Sequence, residues 1–283
     1  MTSKTTQKTI TTKSLFSKNT IRVMSYNIHL KDCETTDNEE CFWSYRKDRV
    51  ASVIRFHNMD LIGLQEPTSD QIEDLVNLLP EYRWLGIGLT DGEKKGPIDA
   101  ILFLRERFEL VDRGHFYLSP TPSIISKGWN AKFIRGVTWA KFKDLNTNQF
   151  FFFFNTHFDY HSKLARNKSA QLLREKISEI SSNNSFILTG DFNIFPTLGG
   201  EETYKILTRD NLLVDAHFKS MFPHHGPTGS WSGYKEAGQP GVKPDYIFVS
   251  KKSSVHSHGI LSDTFDGKFP SDHMPVVSEI EIN

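Results

Sequence analysis

The sequence predicts an α/β (α+β) protein built as a four-layered sandwich, with two packed mixed β-sheets flanked by helices. Three observations point there. From Ile21 onward, short apolar runs alternate with polar connections. Several of those runs, such as Phe150 to Phe154, are apolar at every position, as strands covered on both faces must be. Between the runs lie segments with apolar residues at three-to-four spacing, which give helices one buried stripe. Two sheets face to face with helices outside bury all of these surfaces in one unit.

The elements follow in order. Strands are expected at Ile21 to Ile28, Leu61 to Gln65, Ala100 to Leu104, Val137 to Lys143, Phe150 to Asn155, Ser185 to Thr189, Tyr246 to Val249 and Val276 to Ile282. Helices are expected over Ser44 to Asn58, Ser69 to Leu79 and Leu164 to Ser181. No internal repeat or Pro/Gly-rich linker divides this stretch, so residues 21–283 are read as one domain. Residues 1–20 are rich in Thr, Ser and Lys and contain no acid, which predicts a disordered basic tail rather than a secretory signal.

At 283 residues and 37% hydrophobic content the chain can bury a large core. Its formal charge is zero, with 34 basic and 34 acidic residues. That balance excludes a global cationic field, so any nucleic-acid contact must come from a local patch. No apolar run reaches membrane-spanning length. A cytoplasmic protein is expected, with secreted or organellar placement as the alternatives, no obligate membrane association and no protein partner evident. Cys33 and Cys41 have no histidine spaced for a zinc site and are read as ordinary thiols, with a disulfide across that short loop the alternative in an oxidising compartment.

Polar residues that could do chemistry stand at strand ends, where a sandwich presents its loops. They are Asn27, Glu66, His157, Asp191 with Asn193, Asp245, and the pair Asp272 and His273. Any one of them has a plain reading as a turn cap or strand end; their joint occurrence favours a site. Glu66, Asp272 and the Asn27 amide oxygen form an all-oxygen ligand set suited to Mg²⁺ or Mn²⁺ rather than zinc. Asp191 could then take a proton from an attacking water, with Asn193 holding that water or a phosphate oxygen. His273, its ring held by Asp245, would bring a donor and positive charge to a phosphoryl transition state, and His157 a further donor. Arg135 and Arg166 are candidate phosphate ligands because a guanidinium fork matches phosphate oxygens. For Arg166, on an amphipathic helix, a structural salt bridge is the equal alternative.

The motifs SYNIHL, LIGLQEP, FNTHFD, LTGDFNIFP, KPDYIFVS and PSDHMPVV, in this order between Ile21 and Ile282, resemble the endonuclease/exonuclease/phosphatase superfamily. Its members include pancreatic-type deoxyribonucleases, abasic-site endonucleases, inositol polyphosphate 5-phosphatases, sphingomyelinases and nocturnin-like relatives. The resemblance implies the four-layered sandwich. It also implies that Asn27 and Glu66 lie at the metal, that His157 contacts the scissile phosphate, and that Asp191 with Asn193 positions the nucleophile. Asp245 would orient His273, with Asp272 beside it near the metal. SKGWNAKFIRGVTWAKF and DGEKKGPIDAILF look like a bacterial-type branch of unassigned hydrolases. The chain departs from the pattern at His29, where many members carry an Asp, and at Gly96-Pro97-Ile98, where the branch often reads Gly-Glu-aromatic.

The activity so implied is metal-dependent hydrolysis of a phosphate ester by water, on a phosphorylated small molecule, nucleotide or nucleic acid. A DNA or RNA nuclease is the alternative within that chemistry. A catalytically inactive binding scaffold is the alternative outside it, and the retention of Glu66, Asp191, Asp272 and His273 argues against it.

Overall fold

The computed structural model describes residues 19–31, 39–195, 200–238 and 240–283. The chain begins with β1 (Thr20–Asn27), α1 (Trp43–Phe56), β2 (Leu61–Gln65), α2 (Ser69–Leu78), β3 (Tyr82–Leu85) and β4 (Ala100–Leu104). It continues with β5 (Phe108–Tyr117), β6 (Gly136–Asp144), β7 (Phe150–His157), α3 (Lys163–Ser181) and β8 (Phe186–Asp191). The last elements are α4 (Gly200–Thr208), β9 (Val214–Asp215), α5 (Ala216–Lys219), β10 (Asp245–Val249), β11 (Ser254–Ile260) and β12 (Val276–Glu281).

Two mixed six-stranded sheets result, in the orders β11-β12-β1-β2-β4-β3 and β5-β6-β7-β8-β10-β9. Each contains one parallel pair, β1 with β2 and β7 with β8, and every other pairing is antiparallel. Parallel neighbours need a crossover, which α1 and α3 supply. Thr68 starts α2 through a capping box with Gln71, and Ser162 starts α3 by accepting from the Ala165 N–H.

Three apolar clusters fill the layers. Ile21, Val23, Leu61, Phe142, Phe151, Phe153, Ile187 and Ile247 form the one between the sheets. Met24, Tyr26, Ile62 and Leu64 pack under Val50, Ile54, Ile72 and Leu75 of α1 and α2. Phe152, Phe154, Leu188 and Phe248 pack under Leu173, Ile177 and Leu207 of α3 and α4. The run of phenylalanines in β7 is thus explained by alternation: Phe151 and Phe153 enter the inter-sheet core, Phe152 and Phe154 meet the helices, and Phe150 at the strand's start is exposed.

A buried polar seam crosses between the sheets near the rim. Asn155 Oδ1 accepts from Gln65 Nε2 at 2.7 Å and from Thr189 Oγ1 at 3.0 Å. Its Nδ2 donates to the Leu64 and Ala100 carbonyls at 2.7 and 2.9 Å. Gly63 makes room for this contact, because a Cβ there would stand 2.4 Å from Asn155 Oδ1 and 2.0 Å from Thr189 Oγ1.

All eight expected strands and three expected helices are present, with ends shifted by at most two residues. The sequence reading did not find β3, β5, β9, β11, α4 and α5. The thiol reading fails at Cys41, which is disulfide-bonded. Spacing along the chain says nothing about whether two sulfurs meet; the path of the backbone decides it. Cys33 lies outside the described residues, as does the expected tail up to residue 18; β1 begins at Thr20. Among the described residues no helix is long and apolar enough to cross a membrane.

Gly63→Ala should lower stability by about 2–4 kcal/mol, because a methyl must either push the sheets apart or break a buried hydrogen bond. Urea unfolding measures this, and a midpoint equal to that of the unaltered protein would contradict the role given to the seam.

Candidate active site

The candidate residues stand at strand termini because of the topology. The two parallel pairs face each other across the inter-sheet core, β1 against β8 and β2 against β7. Asn27, His157 and Asp191 end β1, β7 and β8, and Glu66 follows the last residue of β2. Asp245 begins β10, which runs antiparallel to β8, so register places it directly beside Asp191. The chain turns sharply just past three of these ends: His29, Glu66 and Asn193 have φ of 59°, 73° and 50°. Non-glycine residues adopt such angles at a cost, and their clustering here marks a site that the surrounding fold holds in place.

Asp272 and His273 arrive on the loop before β12. Ser271 Oγ ties that loop to the Asn27 carbonyl at 2.7 Å, and the Asp272 carbonyl accepts from the Ser232 and Gly233 N–H groups at 2.7 and 2.9 Å. From the other side, the buried guanidinium of Arg46 donates to the carbonyls of Cys41, Ile28, Leu30 and Pro270. One α1 side chain therefore pins both the loop after β1 and the loop before Asp272.

Asp191 is the hub. Its Oδ2 accepts from Asn27 Nδ2 at 3.0 Å, and lies 3.3 Å from His157 Nε2 and 3.8 Å from His273 Nε2. Its Oδ1 accepts from the Asn193 N–H at 2.9 Å. Asn27 Nδ2 also donates to Glu66 Oε1 at 3.0 Å. Asn193 Nδ2 lies 3.1 Å from His157 Nε2 and donates to the Phe158 carbonyl at 2.9 Å. Behind His273, Asp245 Oδ2 meets Nδ1 at 2.8 Å and accepts from Ser230 Oγ at 2.6 Å.

The two histidines differ in charge. Burial alone would lower His273, but Asp245 and Asp191, with Asp272 beyond, raise it well above the ordinary value, so it carries a proton. Burial, with Arg135 and His273 adding repulsion, pushes His157 well below it, so that ring is neutral. Burial and the neighbouring Asp245 push Asp191 up to about 6, against the pull of His273 and the Asn27 bond. Asp99, just before β4, is also held well above the carboxylate range, by burial first and then by Asp191 and Glu66, with Arg135 opposing.

These side chains open on a cavity of about 760 Å³. His29, Glu66, Arg135, His157, Asp191, Asn193, Asp272 and His273 line it, with Lys127, Lys132, Phe133, Tyr160 and Trp231 toward the rim. A hard divalent cation fits beside Asn27, where Glu66 and Asp191 converge on a single amide group. Rotating that amide would turn its oxygen toward Glu66 for an all-oxygen donor pair, at the expense of the bond it now accepts from the His29 N–H at 3.0 Å. Asp272 borders the same cavity, its Oδ1 accepting from Ser271 Oγ at 3.2 Å. His29, the departure from the family pattern, contacts the Tyr234 hydroxyl through Nδ1 at 2.9 Å.

The phosphate reading of Arg166 is corrected. Its side chain is buried on α3 and its Nη1 donates to the Asp159 and Tyr160 carbonyls at 3.1 and 2.8 Å, away from the cavity lining. Burial of one face of α3 turned this cation inward, where its Nη1 meets carbonyls instead of a phosphate. Sequence reasoning also missed residues that act through others: Arg46, Asp99, Ser230 and Asp159. Asp159 stands inside the FNTHFD motif. Its Oδ2 accepts from the Lys132 and Phe133 N–H groups and its Oδ1 from those of His161 and Ser162, which fastens the loop carrying Arg135.

Comparison with known proteins gives one consistent result. Residues 24–273 match the Endonuclease/Exonuclease/phosphatase family. A solved mannosyl-6-phosphatase of Bacteroides thetaiotaomicron VPI-5482 is 33% identical with a TM-score of 0.86, covering 92% of this chain and 99% of that one. A solved endonuclease/exonuclease/phosphatase of Bacteroides vulgatus is 32% identical with a TM-score of 0.86, covering 94% and 100%. An uncharacterised protein of Acanthamoeba polyphaga mimivirus is 24% identical over 276 residues, 86% of this chain and 38% of that one. The chain spans less than two thirds of the length of the curated relatives it matches.

Asp159→Ala should release residues 127–135 while leaving the sheets folded. Hydrogen exchange at the Lys132 and Phe133 amides should quicken by at least about tenfold, the loss of one buried charge-assisted bond at each. Unchanged protection there would show that Asp159 does not hold the loop.

Proposed function

Because this chain belongs to the Endonuclease/Exonuclease/phosphatase family, whose members are hydrolases acting on phosphate esters, we propose that its cavity hydrolyses the phosphate ester of a small phosphorylated molecule with Mg²⁺ or Mn²⁺ bound. The observation that carries the reading is the surround of Asp191: one carboxylate oxygen within 3.0 Å of Asn27, 3.3 Å of the neutral His157 and 3.8 Å of the protonated His273.

Asn27 and Glu66 hold the cation, with Asp272 bordering the same cavity. When bound, it supplies positive charge against the phosphate oxygens and the charge developing on the leaving oxygen. Arg135 and His273 offer cationic donors to the phosphoryl group, and His157 offers a neutral contact through Nδ1, which has no hydrogen-bond partner among the described residues and stands 3.9 Å from Glu66 Oε1. Asn193 orients the attacking water, and Asp191 takes its proton as the water oxygen bonds to phosphorus and the ester P–O bond breaks. Asp245 keeps His273 protonated and aimed, and Ser230 steadies Asp245.

Substrate size follows from the cavity. About 760 Å³ suits a compact molecule, and a net charge of zero supplies no global cationic field to draw in a long polyanion. A phosphorylated sugar is favoured, since the relative described as a mannosyl-6-phosphatase aligns over nearly the whole chain. One observation favours a second reading, cleavage of single-stranded nucleic acid. Phe133, Tyr160 and Trp231 stand 44%, 39% and 36% exposed at the rim beside Lys127 and Lys132, a surface on which bases could stack.

The test is hydrolysis of hexose 6-phosphates, nucleotides, bis-p-nitrophenyl phosphate and single-stranded DNA and RNA, with Mg²⁺, with Mn²⁺ and with EDTA. We expect metal-dependent turnover that is fastest on a sugar phosphate. Asp191→Asn should reduce kcat by about 10²–10⁴-fold, the span of general-base help. Turnover that survives EDTA, or an Asp191→Asn variant with the unaltered rate, would overturn the proposal, and a preference for single strands would move it to the second reading.

A further inference from the structure

A second group of ligand-type side chains lies outside the cavity. His217 on α5, His224 in the following loop and His258 on β11 each offer a nitrogen, and these three atoms lie within 4.8 Å of one another. The ring centroids are 4.9, 5.0 and 5.0 Å apart. Three imidazoles on one tetrahedral ion, each with its nitrogen about 2.0–2.1 Å from the metal, place their centroids about 5 Å apart, so the rings already have the required spacing.

Three further details point to a ligand. His224 Nδ1 and His258 Nδ1 stand 2.9 Å apart, a contact in which two ring nitrogens share one proton. A tetrahedral metal needs that separation to widen only to about 3.3 Å, with the proton leaving to solvent. His224 meanwhile turns Nε2 to the Pro227 carbonyl at 2.8 Å, the kind of outer contact that fixes the tautomer and aim of a ligating histidine. His258 is almost fully buried, and its Nε2 has no hydrogen-bond partner among the described residues.

The backbone holds this arrangement. The loop bearing His224 lies along β11, with Met221 N donating to the Val255 carbonyl, His225 N to that of His258 and Ile260 N to that of His225, at 2.9–3.0 Å. Asp215 caps the turn under His217 by accepting from its N–H at 2.9 Å. The neighbouring cation, Lys243, is 4.0 Å from Asp215 and sits over the Tyr246 ring. Burial, with Lys243 and the other two imidazoles adding, drives His258 down to about 2, leaving it in the neutral form that ligates.

We propose that His217, His224 and His258 form a second metal site, selective for zinc-class divalent ions over Mg²⁺, with water as the fourth ligand. All-nitrogen donors select borderline ions, whereas the oxygen donors of Asn27 and Glu66 suit hard ones. None of the three histidines lines the catalytic cavity, so the ion is structural: it ties α5 and the loop after it to β11.

The full chain, stripped of metal and titrated with Zn²⁺ in excess Mg²⁺, tests this. The unaltered protein and Glu66→Gln should each bind one Zn²⁺ tightly, and Co²⁺ in its place should give the intense visible absorption of a tetrahedral site. His224→Gln and His258→Gln should bind at least about tenfold more weakly and lose that absorption. Because His258 is buried, circular dichroism checks each variant's fold, and His217→Ala, on the surface turn, carries the same expectation should His258→Gln not fold. Equal Zn²⁺ affinity in all the histidine variants, loss of the ion in Glu66→Gln alone, or no tight Zn²⁺ in the unaltered chain would overturn the proposal.

Discussion

The site depends on one arrangement: two parallel strand pairs facing each other across a sandwich, joined at their carboxyl ends by the buried amide of Asn155. Gln65 and Thr189 both donate to that amide, and each stands within two residues of a site carboxylate, Glu66 and Asp191. His157 is two residues beyond Asn155 itself. A buried amide left half-satisfied is costly, so the seam has one stable register. A slip of one residue in either sheet would turn Asn27, His157 or Asp191 away from the rim. Gly63, with no side chain, permits the close approach.

With the strand ends fixed, placement sets the charge state of each group. His157 and His273 are both buried within about 4 Å of the same carboxylate, yet one is neutral and the other protonated. The difference lies in what stands behind each ring. Asp245 backs His273, whereas His157 faces Asn193 and has Arg135 for a neighbouring charge. The site thereby holds a cationic donor, a neutral imidazole and carboxylates in one cavity, although the chain as a whole carries no net charge. Groups with opposed protonation at neutral pH are what phosphoryl transfer to water requires.

The sequence was most legible where burial was greatest. The eight strands read from it are the eight inner strands of the two sheets. Six are buried at nearly every position, and β6 and β12 alternate buried with half-buried residues, a period that is legible as well. The four it missed, β3, β5, β9 and β11, are the four sheet edges. Edges carry polar residues that break the apolar run: FELVDRGHFY in β5 has several exposed positions, and SVHSHGI in β11 reads as a loop. The helix α5 is a single turn, too short to show a period. The same logic governs the site. Residues at the ends of apolar runs stood out, whereas Arg46, Asp99, Asp159 and Ser230 act through partners distant in sequence or through backbone bonds, which periodicity does not reveal. Arg166 misled because a cation on an amphipathic helix has the same signature facing a phosphate or facing carbonyls.

The central claim is that Glu66 and the Asn27 amide, at the ends of β2 and β1, hold one hard cation beside the Asp191 carboxylate of the facing sheet. Crystals soaked in Mn²⁺ and measured for anomalous scattering test it directly. The account predicts a peak between Glu66 and Asp191, within ligand distance of the Asn27 amide oxygen. No peak there, with Mn²⁺ found at the histidine cluster alone or nowhere, would contradict it.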